Sequence, residues 1–260
     1  MMRAGIDKKS LIFFILMLSF SVFSFGSNRG SLDPPVSELL KIDSIANKAK
    51  SNFLSFAEFA YNEINEKEMS FEAFEQGLTG YSNLLKQGKL NRTDTLTIID
   101  FSKPSSEVRL FILDLCNLKL IHKSLCAHGV NSGRLYPKKF SNEQNSRQSS
   151  LGFYVTTTTY SGKFDLALRL KGMEYSNSHA SSRGVVMHAA DYANYDFLEK
   201  NGCQLGRSYG CPAVPADKFS EVVEWIKGGT CMFIYYPSRS YKRHSRYLNQ
   251  KYYLEDFVEV

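Results

Sequence analysis

The sequence predicts a β-rich α+β protein in which a helical N-terminal region precedes a strand-dominated domain. Apolar residues recur at helical spacing as far as about residue 90. From Asn91 onward they come instead in short, β-branched runs cut by turn residues. One further helix, over 216–227, precedes the last strand. Runs of helix followed by runs of strand define the α+β class rather than an alternating α/β one.

After Pro34 and Pro35, three stretches have amphipathic spacing. Leu39, Leu40, Ile42, Ile45 and Ala46 mark the first; Phe53, Phe56, Ala57, Ala60 and Ile64 mark the second. The third, 70–86, carries Phe71, Phe74, Leu78, Tyr81 and Leu85. Such stripes are core-facing. Strands are predicted at 95–101, 109–115, 119–127, 152–160, 164–170, 184–188 and 230–236. The helix over 216–227 puts Phe219, Val222, Val223 and Ile226 on one face and stops at Gly228 and Gly229. The tail, 238–260, mixes Arg239, Lys242, Arg243 and Arg246 with Tyr241, Tyr247, Tyr252 and Tyr253. It reads as a solvated extension packing a few aromatics on the domain, or as an attachment surface for wall or membrane.

The first residues decide the compartment. Arg3, Lys8 and Lys9 precede an apolar and hydroxyl-bearing run over 11–25, and Gly26 and Ser27 follow. These are the parts of a secretory signal peptide over 1–26. The alternative is a membrane anchor, but the run is about 15 residues against the ~20 that span a bilayer. The expected organisation is therefore a signal over 1–26, a helical region over 27–92, a catalytic domain over 93–237 and a basic-aromatic extension over 238–260. Loss of Arg3, Asp7, Lys8 and Lys9 lowers the formal net charge by two from +6. The remaining mild excess suits an anionic polymer surface and does not by itself suggest nucleic acid. The expected product is an exported monomer, in periplasm or cell-wall space, with no membrane span.

Five cysteines is an odd number for an exported chain and points to a free, reactive thiol. Cys116 and Cys231 lie in apolar runs and read as buried hydrophobes. Cys126 and Cys203 could pair. Zinc-ligand spacings of the CxxC or HExxH kind are absent from the sequence, so no metal or other cofactor is expected, although a site built from Cys211, His188 and a third ligand stays open.

Two segments concentrate reactive groups. The strand over 184–188 ends on His188, and Cys211 sits between Gly210 and Pro212. A thiol attacks as thiolate and needs a base, for which His188 is the candidate. Gly210 permits a tight turn and close approach of a carbonyl. The N–H groups of Tyr209, Gly210 and Cys211 are candidate oxyanion donors, from which Pro212 is excluded. Ser208 is the candidate third member, orienting His188. Arg207, His128, Asn142, Ser149 and Arg183 are candidate substrate contacts. His128 could instead be structural, and Asn142 and Arg147 could belong to a plain polar loop.

These residues resemble those of the murein L,D-transpeptidases with a YkuD-like catalytic domain. That family's histidine corresponds to His188, and its Ser-x-Gly-Cys to Ser208, Tyr209, Gly210 and Cys211. The stretch Gly206 to Pro212 is similar to the branch with a Gly-Arg-Ser-x-Gly-Cys-Pro signature. So are His128-Gly129, Ser132-Gly133, Phe140-Ser141-Asn142 and 149–153, and the resemblance spans about 95–237. Tyr209 replaces the usual histidine, Ala213 stands where many members have arginine, and 19 residues separate His188 from Ser208.

The resemblance implies a mixed β-sandwich fold and acyl transfer through a Cys211 thioester on peptidoglycan stem peptides, without metal or cofactor. It also implies acylation by carbapenem-type β-lactams. A carboxypeptidase or amidase using the same dyad, or a silent wall-binding module, are the alternative readings.

Overall fold

The computed structural model describes residues 36–162 and 165–249. The region expected to be a signal peptide lies outside them. Among the described residues no helix is long and apolar enough to cross a membrane. The chain divides into two units, 57–250 and a second made of 1–56 with 251–260, of which only helical residues at 36–56 are described.

Helix α1, Val36–Ile64, takes in the first two predicted helical stretches, and α2 is Phe71–Lys86. Ala57, Ala60 and Ile64 of α1 are buried, at the spacing the sequence shows. Ser70 caps α2, its hydroxyl accepting from the Ala73 N–H at 3.3 Å and donating to Asp100 at 2.8 Å. Gly77 and Gly80, one turn apart, let α2 lie close on the sheet. A Cβ at Gly80 would stand 1.9 Å from the Phe153 ring.

Eight strands form one mixed sheet in the order β3-β2-β1-β8-β4-β5-β6-β7. Their ranges are β1 Thr95–Asp100, β2 Leu110–Asp114, β3 Lys119–Ser124, β4 Gly152–Gly162, β5 Asp165–Gly172, β6 Val186–Ala189, β7 Ala213–Val214 and β8 Cys231–Tyr235. The pairs β1–β8 and β6–β7 are parallel; the others are antiparallel. The chain beyond β3 then meets β7: Ala127 donates to the Ala213 carbonyl at 2.7 Å and accepts from the Ala213 N–H at 3.3 Å. The sheet is thereby nearly closed on itself, a sandwich-like layer with helices around it.

Between β6 and β7 lie a 3₁₀ turn, Asp191–Ala193, and α3, Tyr195–Lys200. Leu198 and Leu205 of this connection pack with Leu125, Ala127 and Ala213. Helix α4, Phe219–Ile226, buries the four residues predicted to face inward. The tail forms α5, Arg239–His244, and α6, Arg246–Asn249, with Tyr241 and Tyr247 buried. Glu174, also buried, accepts hydrogen bonds from Tyr241 Oη at 2.6 Å, from Ser245 Oγ and from the Phe153 N–H at 3.1 Å. Residues 250–260, with Tyr252 and Tyr253, lie outside the described residues.

One cysteine expectation needs revising, and one open question is answered. Cys116 is exposed, because β2 stops at Asp114 and the chain turns there. Cys126 is buried and Cys203 exposed, and neither is in a disulfide.

Candidate active site

Parallel pairing of β6 with β7 brings the two chemical segments together. His188 is in register with Ala213, two residues after Cys211, and its N–H points to the Pro212 carbonyl at 3.4 Å. Cys211 Sγ lies 3.5 Å from the Val186 N–H, which donates to it, and 3.8 Å from the Gly184 carbonyl. Burial pushes the Cys211 thiol up; the Val186 N–H, the Arg183 charge and the Cys211 N–H draw it back in part.

His188 is buried, and its Nδ1 is 2.8 Å from the Ala189 carbonyl. A carbonyl only accepts, so Nδ1 carries the proton and the ring's basic lone pair is on Nε2. Burial lowers the His188 pKa, opposed by that same carbonyl. Burial therefore favours the neutral imidazole.

The Ser208 hydroxyl is engaged within its own turn. It donates to the Cys211 carbonyl at 2.6 Å and accepts from the Gly210 N–H at 3.0 Å. The Ser208 carbonyl accepts from Val130 at 2.8 Å, and its N–H donates to His128 at 3.0 Å. The hydroxyl is thus drawn into closing its own turn, and one acceptor that His188 meets is the Ala189 carbonyl. The oxyanion expectation narrows as well. Gly210, at φ +128°, has its N–H turned inward to Ser208, leaving the Cys211 and Tyr209 N–H groups as candidates. The Tyr209 side chain is 72% exposed, with the Arg147 guanidinium 4.6 Å from its ring centroid.

The expected substrate contacts are placed as follows. Arg207 is exposed and donates to the Gly133 carbonyl at 3.3 Å. Arg183 spends its guanidinium on the loop over 141–150, donating to the Ser141 and Gln148 carbonyls, each at 2.7 Å, and to the Ser150 and Ser146 hydroxyls. Asn142 donates to the Tyr175 carbonyl and Ser178 hydroxyl and accepts from the His179 N–H. Both tie loops together. His128 and Ser149 are buried, and Ser149 Oγ reaches the Gly210 carbonyl in the turn that carries Cys211. Nothing in the sequence singled out Arg109, which is fully buried beside His128. A cationic residue opening an apolar strand was its only signal. Among the described residues no cluster of His, Cys, Asp or Glu could hold a metal ion.

A nearly closed mixed sheet with a cysteine turn and a histidine on neighbouring parallel strands defines a class of cysteine-bearing β-sandwich domains. The sequence model of the L,D-transpeptidase catalytic domain family matches residues 65–235, well over half of the chain, and the chain belongs to that family. The match begins ahead of α2, earlier than the start near residue 95 read from the motifs, and so includes the helix seated on Phe153.

Solved structures with some likeness include an L,D-transpeptidase from Mycobacterium tuberculosis H37Rv, at 13% identity and TM-score 0.36, covering 55% of this chain and 58% of that one. An L,D-transpeptidase from Mycobacterium smegmatis has 12% identity and TM-score 0.34, covering 55% and 59%. One from Xylanimonas cellulosilytica has 13% identity and TM-score 0.32, covering 59% and 68%. This chain thus spans under two thirds of the length of the two mycobacterial proteins. No curated protein sequence matches it.

Proposed function

We propose that the protein is an exported, cysteine-dependent L,D-transpeptidase acting on peptidoglycan stem peptides. The observation that supports it most is the β6–β7 register, which sets His188 beside the residues following Cys211, with Nδ1 committed to Ala189. Cys211 passes its proton to His188 Nε2 and its sulfur attacks the carbonyl between the diamino acid's L-centre and the terminal D-residue. The C–N bond breaks, His188 returns the proton to the leaving D-alanine amine, and a thioester remains. An acceptor stem's amine then displaces sulfur, giving up a proton through His188 to the thiolate. The Cys211 N–H, with that of Tyr209, faces the developing oxyanion; one such donor is worth roughly 3–4 kcal/mol.

The same reading takes 1–26 as export signal, 27–92 as helical region, 93–237 as catalytic domain and 238–260 as extension, with action in periplasm or wall. Intact mass after incubation with disaccharide-tetrapeptide tests it. The expected product is an adduct on Cys211 with loss of D-alanine, absent in Cys211→Ala. Folded wild type that stays unmodified overturns the proposal, and turnover to tripeptide with no cross-link would make water the acceptor.

A further inference from the structure

A buried chain of polar groups runs from the sheet interior to the turn that carries Cys211. Arg109 donates from Nε to the Cys126 carbonyl at 2.7 Å and from Nη1 to the Lys103 carbonyl at 3.0 Å. Its Nη2 is 2.8 Å from His128 Nδ1, and its guanidinium lies 4.8 Å from the Phe101 ring centroid. Arginine can only donate, so Nδ1 of His128 is the acceptor, and Nε2 donates to the Gly133 carbonyl at 3.3 Å. Burial, with the Arg109 charge, pushes the His128 pKa down to about 3. His128 is thus a neutral ring with both nitrogens committed to protein partners, unsuited to carry a proton in catalysis at ordinary pH.

The backbone around this ring carries the chain onward. The His128 carbonyl accepts from the Ser208 N–H, and Val130 donates to the Ser208 carbonyl. The Gly129 N–H donates to Ser149 Oγ at 3.0 Å, and that hydroxyl donates to the Gly210 carbonyl at 3.2 Å. Ser149 is held in turn by its own N–H, which donates to Ser132 Oγ at 2.9 Å. Gly129 has no room for a side chain, since a Cβ would meet the Arg147 carbonyl at 2.6 Å. The consequence falls on one peptide plane. Fixing the Gly210 carbonyl toward Ser149 points the Cys211 N–H, on the opposite side of that plane, away from it.

We propose that Arg109, His128 and Ser149 are positioning residues that hold the Gly210–Cys211 peptide with its N–H aimed at the developing oxyanion. The proposal rests on the reading of Cys211 as an acylated nucleophile. It assigns the buried histidine and serine to the transition state through a peptide plane, without contact with substrate.

Two reactions in the full chain test it, each read at Cys211 by peptide mass because Cys116 and Cys203 are exposed thiols as well. Alkylation by iodoacetamide forms a C–S bond as iodide leaves, and develops no oxyanion. Acylation by p-nitrophenyl acetate transfers acetyl to sulfur through an oxyanion, releasing p-nitrophenolate as the thiol proton goes to base. Ser149→Ala and His128→Leu should slow acylation about 10- to 100-fold while alkylation stays within about two-fold. Ser149→Thr, which keeps the hydroxyl, and His128→Asn, which keeps an acceptor for Arg109, should recover much of the acylation. A folded Ser149→Ala that acylates at the wild-type rate, or that loses both reactions together, overturns the proposal; Ser149→Ala removes one hydroxyl and decides the matter even if His128→Leu does not fold. Wild type that is alkylated but never acylated by the ester sinks this proposal and the functional reading together. Acylation by the ester without reaction on stem peptide sinks the substrate alone and leaves the positioning result standing.

Discussion

Burial holds both Cys211 and His188 toward their neutral forms, which favours thiol and imidazole over thiolate and imidazolium. Two pH dependences follow. A raised thiol pKa means the thiolate accumulates only above the ordinary cysteine range. The iodoacetamide rate at Cys211 should therefore keep rising with pH beyond the point where a free cysteine levels off, and a plateau in mild acid would reveal an ion pair instead. A lowered imidazole pKa means the base form persists into mild acid. The acid limb of acylation should fall below the ordinary histidine value, and His188→Ala should cost about 10²–10⁴-fold in acylation. At this scale the two segments that the strand pairing brings together were the most legible, because glycine, proline and a strand end give Cys211 and His188 distinctive settings. The sequence was least legible for their partners: Ala189 meets His188 through a carbonyl, a group every residue owns, and no side-chain pattern marks it.

Among the elements, α2 shows how a glycine can matter more than a large residue. In a helix interior Gly→Ala ordinarily gains up to about 1 kcal/mol. At Gly80 the new Cβ would enter the Phe153 ring, which is stacked on Phe233 with centroids 4.2 Å apart and has little freedom to yield. Gly80→Ala should cost about 1–3 kcal/mol in urea unfolding. Gly77→Ala should be near neutral, because its closest neighbour, at 3.2 Å, is the tip of Ile98. Most strands were legible from β-branched runs, and α4 from its apolar face and glycine stop. Strand β7 was not, since two residues carry no periodicity; it exists because Ala127 and His188 supply partners on either side. Helix α3 is six residues long and too short to show an amphipathic period; Asn194 caps it by accepting from the Phe197 N–H at 2.8 Å.

At the scale of the molecule, the tail beyond the family match is fastened to the domain by a buried carboxylate. Glu174 gathers donors from β4, α5 and the residue between α5 and α6, and burial raises its pKa. Removing it leaves three buried donors without an acceptor, so Glu174→Ala should destabilise by about 3 kcal/mol, read as a lower urea midpoint. A carboxyl with a raised folded pKa binds its proton more tightly than in the unfolded chain. Its contribution is fully present below the unfolded carboxylate value and is lost as pH rises through the folded one. Urea midpoints of wild type and Glu174→Gln between about pH 4 and about pH 8 should therefore draw apart in that direction.

The β6–β7 pairing has a consequence for how such a site can vary in length. The placement of His188 beside the residues that follow Cys211 is set across the strands, by register, and not along the connection between them. That connection keeps Leu198 and Leu205 packed beneath it and exposes its tip at Asn201 and Gly202, where Gly202 adopts φ +64° with open space around it. Residues added or lost at the tip leave the register untouched, so the 19 residues between His188 and Ser208 are a permissive tether, and the turn is where the chain can change length without moving its chemistry.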